Sequence, residues 1–398
     1  MIPDIDSQIG ILVYSANFDG IGGKIRDSPE DFEVSEIISA KSLKVISNDN
    51  GYAVYKLRKK RIDTNHALSD LFRKRGIRLK SLGLKDASAV TEQYVCSGNK
   101  GRAIDDYSSE KYSVRKIGYV KKPLTKKDMI GNHFKIKITN CSDGLSDFTE
   151  YEKILNFYGY QRFGSKRAVT HLIGKAILQK NFKKAVDLIL CFTSNHDSEE
   201  NNEIREKLQD KENYAKYFDL VPKQMDIERM VLKEMIATDD YSKAIRSIPL
   251  SLRRFYIQAY QSFIFNKSLS LAFEDGENLF EAQQGDVCFD FNGIIGKYVK
   301  GMDQNLALPF VGYSYYKKTR FDYQISKVLD QEEITPKDFY IKEMQEVSSE
   351  GGFRQAAIQV SDYSSHDNTV EFSLSRGSFA TILLREIMKP KDPILAGF

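Results

Sequence analysis

The chain has 398 residues, 41% of them hydrophobic and 29% charged, which is enough length for two or three domains with real cores and the wrong composition for a disordered chain. Its four cysteines, Cys96, Cys141, Cys191 and Cys288, are far apart and form neither a Cys-x-x-Cys pair nor a Cys/His cluster. Neither a zinc site nor a disulfide framework is therefore indicated, and reduced thiols are expected. Met1 to Asp6 lacks a basic stretch leading into an apolar one, and no apolar run reaches membrane-spanning length, so a cytoplasmic protein is expected.

In chain order, Pro29 starts a turn that leads into a strand with Phe32 and Val34 on one face. Ala53, Tyr55 and Leu57 alternate as a second strand, and Thr64 is placed to cap a helix carrying Ala67, Leu68, Leu71 and Phe72. Strand patterns return at Gln93 to Cys96, at Tyr112 to Val120 and at Phe134, Ile136 and Ile138. The first 140 residues therefore read as α+β. Helical spacing follows from Ala168 to Ile189, through Ile227 to Met235, and from Phe255 to Leu271, a core helix on which Gln261 and Asn266 are expected to face solvent. Short strands and hairpins are expected from Gly285 to Gly312 and strand again from Phe353 to Phe372. Gly377 and Ser378 then turn into a helix bearing Ile382, Leu383 and Ile387, with Ser378 as its cap.

The net charge is only +4, but the cations are clustered. Lys56 to Lys80 holds ten basic residues against Asp63 and Asp70, and Lys111 to Lys137 holds nine against Asp128, with Tyr112, Tyr119 and Phe134 among them. Each run alone is compatible with a solvated face; two runs with interleaved aromatics suit an RNA backbone and its unstacked bases. The acidic stretch from Asp197 to Glu212 would repel phosphate and is expected to be an exposed loop and helix away from nucleic acid.

Between the basic runs lies Gly83-Leu84-Lys85-Asp86-Ala87-Ser88-Ala89-Val90-Thr91-Glu92-Gln93. Asp86 has two readings: a turn or cap carboxylate accepting a backbone N–H, or an ionised group in a partly closed site with a cation beside it. Asn156-Phe157-Tyr158-Gly159-Tyr160-Gln161-Arg162-Phe163-Gly164 is equally double. Its aromatics and amides fit a packed turn, and they also fit a loop that stacks on an extruded base and hydrogen-bonds its edge, with Arg162 able to pair with a carboxylate.

Together four stretches resemble the TruD family of pseudouridine synthases, in order and in approximate spacing: Pro29-Glu30-Asp31-Phe32-x-Val34-x-Glu36, Gly83 through Gln93, Asn156 through Gly164, and Gly377-Ser378-Phe379-Ala380-Thr381 with Arg385-Glu386. The helix containing Gln261-Ser262-x-x-Phe265-Asn266 is also similar to a family element. Phe157 stands where the family commonly has tyrosine, and Ser375 where it usually has proline.

The resemblance implies an α+β fold: a pseudouridine synthase catalytic domain with a mixed, mostly antiparallel sheet, formed by residues 1–183 and 348–398 and interrupted by an inserted α/β domain at about 184–347 that helps choose the RNA. It implies conversion of a uridine to pseudouridine in tRNA, most often at position 13, with no cofactor or metal; a monomer is the default expectation. Asp86 falls at the catalytic aspartate. Asn156 and Tyr158 take the base-holding and stacking roles, Arg26, Phe32 and Lys85 line the site, and Arg162 and Arg385 are further substrate contacts. The basic windows are candidates for phosphate contacts.

Two other classes remain open. A non-catalytic RNA-binding protein needs only the basic windows and aromatic loops. A hydrolase with paired carboxylates would use Asp86 and Glu92. Nucleotide-dependent chemistry is disfavoured because Gly20-Ile21-Gly22-Gly23 does not match a phosphate-binding loop.

Overall fold

The computed structural model describes residues 1–398 except 48, 49, 86, 165, 292, 317 and 318. It is a mixed α+β structure, as expected. One large sheet runs in the order Lys153–Leu155, Ala357–His366, Thr369–Ser375, Met129–Lys137, Phe32–Ile38, Val90–Ser97, Tyr52–Lys59, Tyr112–Val120 and Tyr107–Ser108, with Leu79–Ser81 also paired to Val90–Ser97. All its ladders are antiparallel except that between Phe32–Ile38 and Val90–Ser97, where Glu33 pairs with Val90 and Val34 with Thr91. A parallel ladder brings the two chain entries to one end of the sheet. Here it sets Arg26 near Lys85, Ser88 and Ala89.

The strand Phe32–Ile38 alternates between buried and half-buried residues, with Phe32, Val34, Glu36 and Ile38 on the inner face. Ala53, Val54, Tyr55 and Leu57 are all buried, because one face of their strand packs under the helix Thr64–Arg75 and the other on a separate cluster with Ile38 and Cys96. That helix is capped by Asp63, not Thr64: the Asp63 carboxylate accepts from the amides of Asn65 at 2.9 Å and His66 at 3.1 Å. At the other end of the chain Phe379, not Ser378, precedes the helix Ala380–Met388, and no side chain caps it.

A second, four-stranded antiparallel sheet runs Ile295–Lys297, Val287–Phe289, Asn305–Phe310, Gly352–Gln355. It leads straight into the large sheet, since Gly352–Gln355 is followed by Ala357–His366. Helices fill the middle of the chain. The longest, Leu250–Glu274, crosses Thr170–Leu178 so closely at Gly174 that a Cβ there would lie 2.1 Å from the Tyr256 carbonyl oxygen. The main hydrophobic core extends from Ile9 through these helices to Phe398 without interruption.

Gln261 and Asn266, expected on the solvent face, are fully buried. Each satisfies backbone that has no ladder partner. Gln261 donates to the Val311 carbonyl at 2.6 Å, and Asn266 accepts from the Tyr158 amide at 2.8 Å while donating to the carbonyls of Ile9 and Tyr158. The acidic stretch is also less exposed than expected: Asp197 lies 3.6 Å from the buried guanidinium of Arg205. The four cysteines are unpaired, and among the described residues no helix is long and apolar enough to cross a membrane.

Candidate active site

Where the two parallel strands begin, a cavity of about 290 Å³ opens. Its walls include Arg26, Phe32, Lys85, Thr91, Asn132, Phe134 and Phe379. Phe32, at the first position of its strand, meets Phe134 edge-on at 6.3 Å, and Phe134 stacks on Phe372 at 5.3 Å, so the apolar wall is fixed by the sheet behind it. The Arg26 guanidinium lies 4.1 Å above the Phe32 ring. Arg26 holds φ at +62°, a conformation that non-glycine residues adopt rarely and that persists where surrounding contacts impose it. Those contacts include its hydrogen bond to the Gly397 carbonyl and the bond from the Ile25 amide to the Ala396 carbonyl at 2.9 Å.

Asp86 lies outside the described residues. Its neighbours are closely held. Thr64 Oγ1 accepts from the Lys85 amide at 3.0 Å and donates to Gln93 Oε1 at 2.8 Å, and Gln93 Nε2 donates to the Gly83 carbonyl at 2.9 Å. One buried threonine and one buried glutamine thus brace the loop on both sides of Leu84.

The Lys85 side chain turns inward, donating to Asn132 Oδ1 and lying 3.5 Å from Glu36 Oε1, whose other oxygen accepts from the Tyr94 amide at 2.9 Å. Burial pushes the Glu36 carboxyl up and the Lys85 ammonium down, and each partner's charge opposes the shift. Thr91 Oγ1, at the cavity wall, is buried with no hydrogen-bond partner among the described residues.

Of the residues expected at the site, the structure brings Arg26, Phe32 and Lys85 to the cavity. Tyr158 stands one layer back, its ring 6.1 Å from Phe379, and the loop reaches the cavity through Gly159 and Gln161 instead. Asn156 is buried and fully engaged. Its Nδ2 donates to the Gln355 carbonyl at 3.0 Å, and its Oδ1 accepts from Arg354 at 2.7 Å. Arg162 lies over the rings of Tyr158 at 5.3 Å and Phe255 at 5.1 Å.

Arg385 is not brought to the cavity at all. It has no exposed side-chain surface, its Nε lies 2.5 Å from the Asp6 carboxylate and its Nη1 3.2 Å from Glu386, and so it neutralises two buried carboxylates in the core. Glu92 faces Lys56 at 2.5 Å and is not among the described residues that line the cavity.

The strand and turn residues Asn132, Phe134 and Phe379 complete the walls; of these, Phe379 stood within a recognised motif and Phe134 within a strand pattern. Arg354 had no local signal.

The site is thus an aromatic, cation-edged cavity at the start of the one parallel pair of a mostly antiparallel sheet. The chain matches the family model of tRNA pseudouridine synthase D (TruD) over residues 8–387, and it belongs to that family of isomerases. Two relatives bearing the name "Probable tRNA pseudouridine synthase D" are each 30% identical to it. The protein from Pyrobaculum aerophilum aligns over 100% of this chain and 99% of its own, and that from Methanosarcina acetivorans over 99% and 98%. The crystal structure of a Methanosarcina mazei protein named "Putative tRNA pseudouridine synthase D (TruD)" superposes with a TM-score of 0.83 at 28% identity, covering 99% of both chains.

Proposed function

We propose that this enzyme converts a uridine of tRNA, at position 13, to pseudouridine, with Asp86 as the catalytic carboxylate. The observation that carries the reading is the cavity itself: aromatic walls from Phe32, Phe134 and Phe379, with Lys85, its amide braced by Thr64, at its edge. A base must leave its stack to enter it, and the rings supply stacking in return. The reaction breaks the N1–C1′ bond, forms a C5–C1′ bond, and exchanges a proton at C5 for one at N1. Product and substrate have the same composition, so no co-reactant or cofactor is called for. Asp86 either adds to the uracil ring or assists deprotonation at the sugar.

Arg26, Phe32 and Lys85 line the base site, with Tyr158 and Asn156 supporting Phe379 and its turn from behind. Phosphates are held by the basic windows. Within the first of these, Lys56, Arg58 and Lys60 face Glu92, Glu33 and Glu30, and Arg73 and Lys74 face Asp70, whereas Arg75 and Arg78, set over the half-buried ring of Tyr107 and the exposed ring of Phe72, are candidates. Residues 184–347 form the insertion that helps select the RNA, and the enzyme works as a cytoplasmic monomer. Position-resolved pseudouridine mapping of transcribed tRNA treated with the full chain tests the activity; a modified residue other than 13 would correct the target, and no modified tRNA would refute the reading.

A further inference from the structure

Beside the cavity, on the far side of Phe379, two arginines converge on one ring. The Arg354 guanidinium lies 4.0 Å and that of Arg162 5.3 Å from the centre of Tyr158. Arg354 is held in place by its own donors: Nε to the Asn156 carbonyl at 3.2 Å, Nη2 to Asn156 Oδ1 at 2.7 Å and to the Gly377 carbonyl at 3.1 Å. It thereby ties the Asn156 loop to the turn that carries Phe379. Arg162 is different. Half-buried between Tyr158 and Phe255, its guanidinium has no hydrogen-bond acceptor and no carboxylate within 4.0 Å among the described residues, and neither has Arg354 a carboxylate partner.

Two partly desolvated cations this close repel each other, and burial weakens the charged form of both. The rings offset part of that through their faces, but a cation–ring contact leaves the N–H donors of Arg162 unfilled. Planar forks of this kind match a phosphate. The two fully buried guanidiniums are neutralised, Arg385 by Asp6 and Glu386 and Arg205 by Glu228, and half-buried Arg229 donates to the carbonyls of Phe218 and Val221, whereas Arg162 has neither kind of acceptor among the described residues.

We propose that Arg162 and Arg354, set against Tyr158, form an anion site that takes a backbone phosphate of the RNA adjacent to the uridine held in the cavity. The proposal rests on the uridine-isomerising reading above. It gives the enzyme a grip on the strand next to the extruded base, where tension on the backbone favours the unstacked nucleotide.

The test measures RNA binding by the full chain between 50 and 200 mM salt, for wild type, R162Q, R162K and R354Q, on substrate RNA with either linkage of the target uridine intact or replaced by an uncharged methylphosphonate. R162Q is expected to weaken binding about tenfold and to lower the salt slope by about one ion, with R162K retaining most of the slope. The methylphosphonate at one of the two linkages is expected to weaken the wild type similarly and to have no further effect on R162Q. A folded R162Q with the wild-type slope, or a methylphosphonate effect undiminished in R162Q, overturns the anion site. Wild-type pseudouridine formation on the unsubstituted RNA is followed in parallel: its absence refutes the activity reading, whereas normal turnover with an unchanged R162Q slope refutes the anion site alone.

Discussion

The hydroxyl of Thr64 accepts the amide of Lys85 at 3.0 Å, so the residue immediately before Asp86 is fixed from the start of a helix more than twenty positions upstream. The same hydroxyl donates to Gln93, which holds the Gly83 carbonyl. T64V keeps the shape and removes the bond, leaving the Lys85 amide and Gln93 Oε1 without it. A stability loss of about 1–3 kcal/mol is expected from the unpaired buried groups. Because the loop carries Asp86, kcat should fall about tenfold with little change in KM; single-turnover kinetics check this, and an unchanged kcat would show that the brace does not set the aspartate's position.

Glu36 and Lys85 form a buried pair behind the cavity. E36L strands the ammonium and should destabilise by about 3–5 kcal/mol, whereas adding K85M to it should recover a good part of that loss. Denaturant unfolding of the two single variants and the double variant reads the coupling. Additive losses would mean the two charges do not depend on one another.

Arg385 separates a core role from a site role. R385M leaves Asp6 and Glu386 buried without their cation, and about 3–5 kcal/mol of stability should go with it. At a temperature well below the variant's Tm, kcat/KM should stay within about twofold of wild type. A stable variant with a large fall in kcat/KM would return Arg385 to the substrate.

His171 is buried between Phe163 at 5.4 Å and Phe263 at 5.1 Å, and burial lowers its imidazole to about 4. The unfolded chain, with an ordinary histidine, binds a proton between pH 6.5 and 4 that the folded chain refuses. Stability due to this group is therefore complete above about pH 6.5 and is lost as pH falls towards 4, by up to about 3 kcal/mol. H171F should flatten that limb of the stability profile relative to wild type. Parallel profiles would mean that His171 titrates normally in the fold.

Much of this was legible along the chain, for a physical reason in each case. Phe32 and Val34 show their shared face by a period of two, and the motif around Asp86 stands between two cationic windows. What could not be read depends on contacts distant in sequence. Gln261 and Asn266 sit on a helix buried on most sides, where a polar residue serves the backbone of remote loops instead of marking a wet face. Arg385 was expected at the substrate from the resemblance alone, and its core partner Asp6 lies at the other end of the chain, where no local pattern announces it. Arg354 comes to Tyr158 because Lys153–Leu155 pairs with Ala357–His366 and the Asn156 amide continues that pairing to the Ala356 carbonyl, which nothing local to Gly351-Gly352-Phe353-Arg354 announces.

The most direct measurement compares wild type with D86N in pseudouridine formation on transcribed tRNA, mapped by position, alongside RNA affinity. The account predicts one modified uridine for wild type, and for D86N near-normal binding with turnover reduced by orders of magnitude. A D86N enzyme that still isomerises at a comparable rate would contradict it.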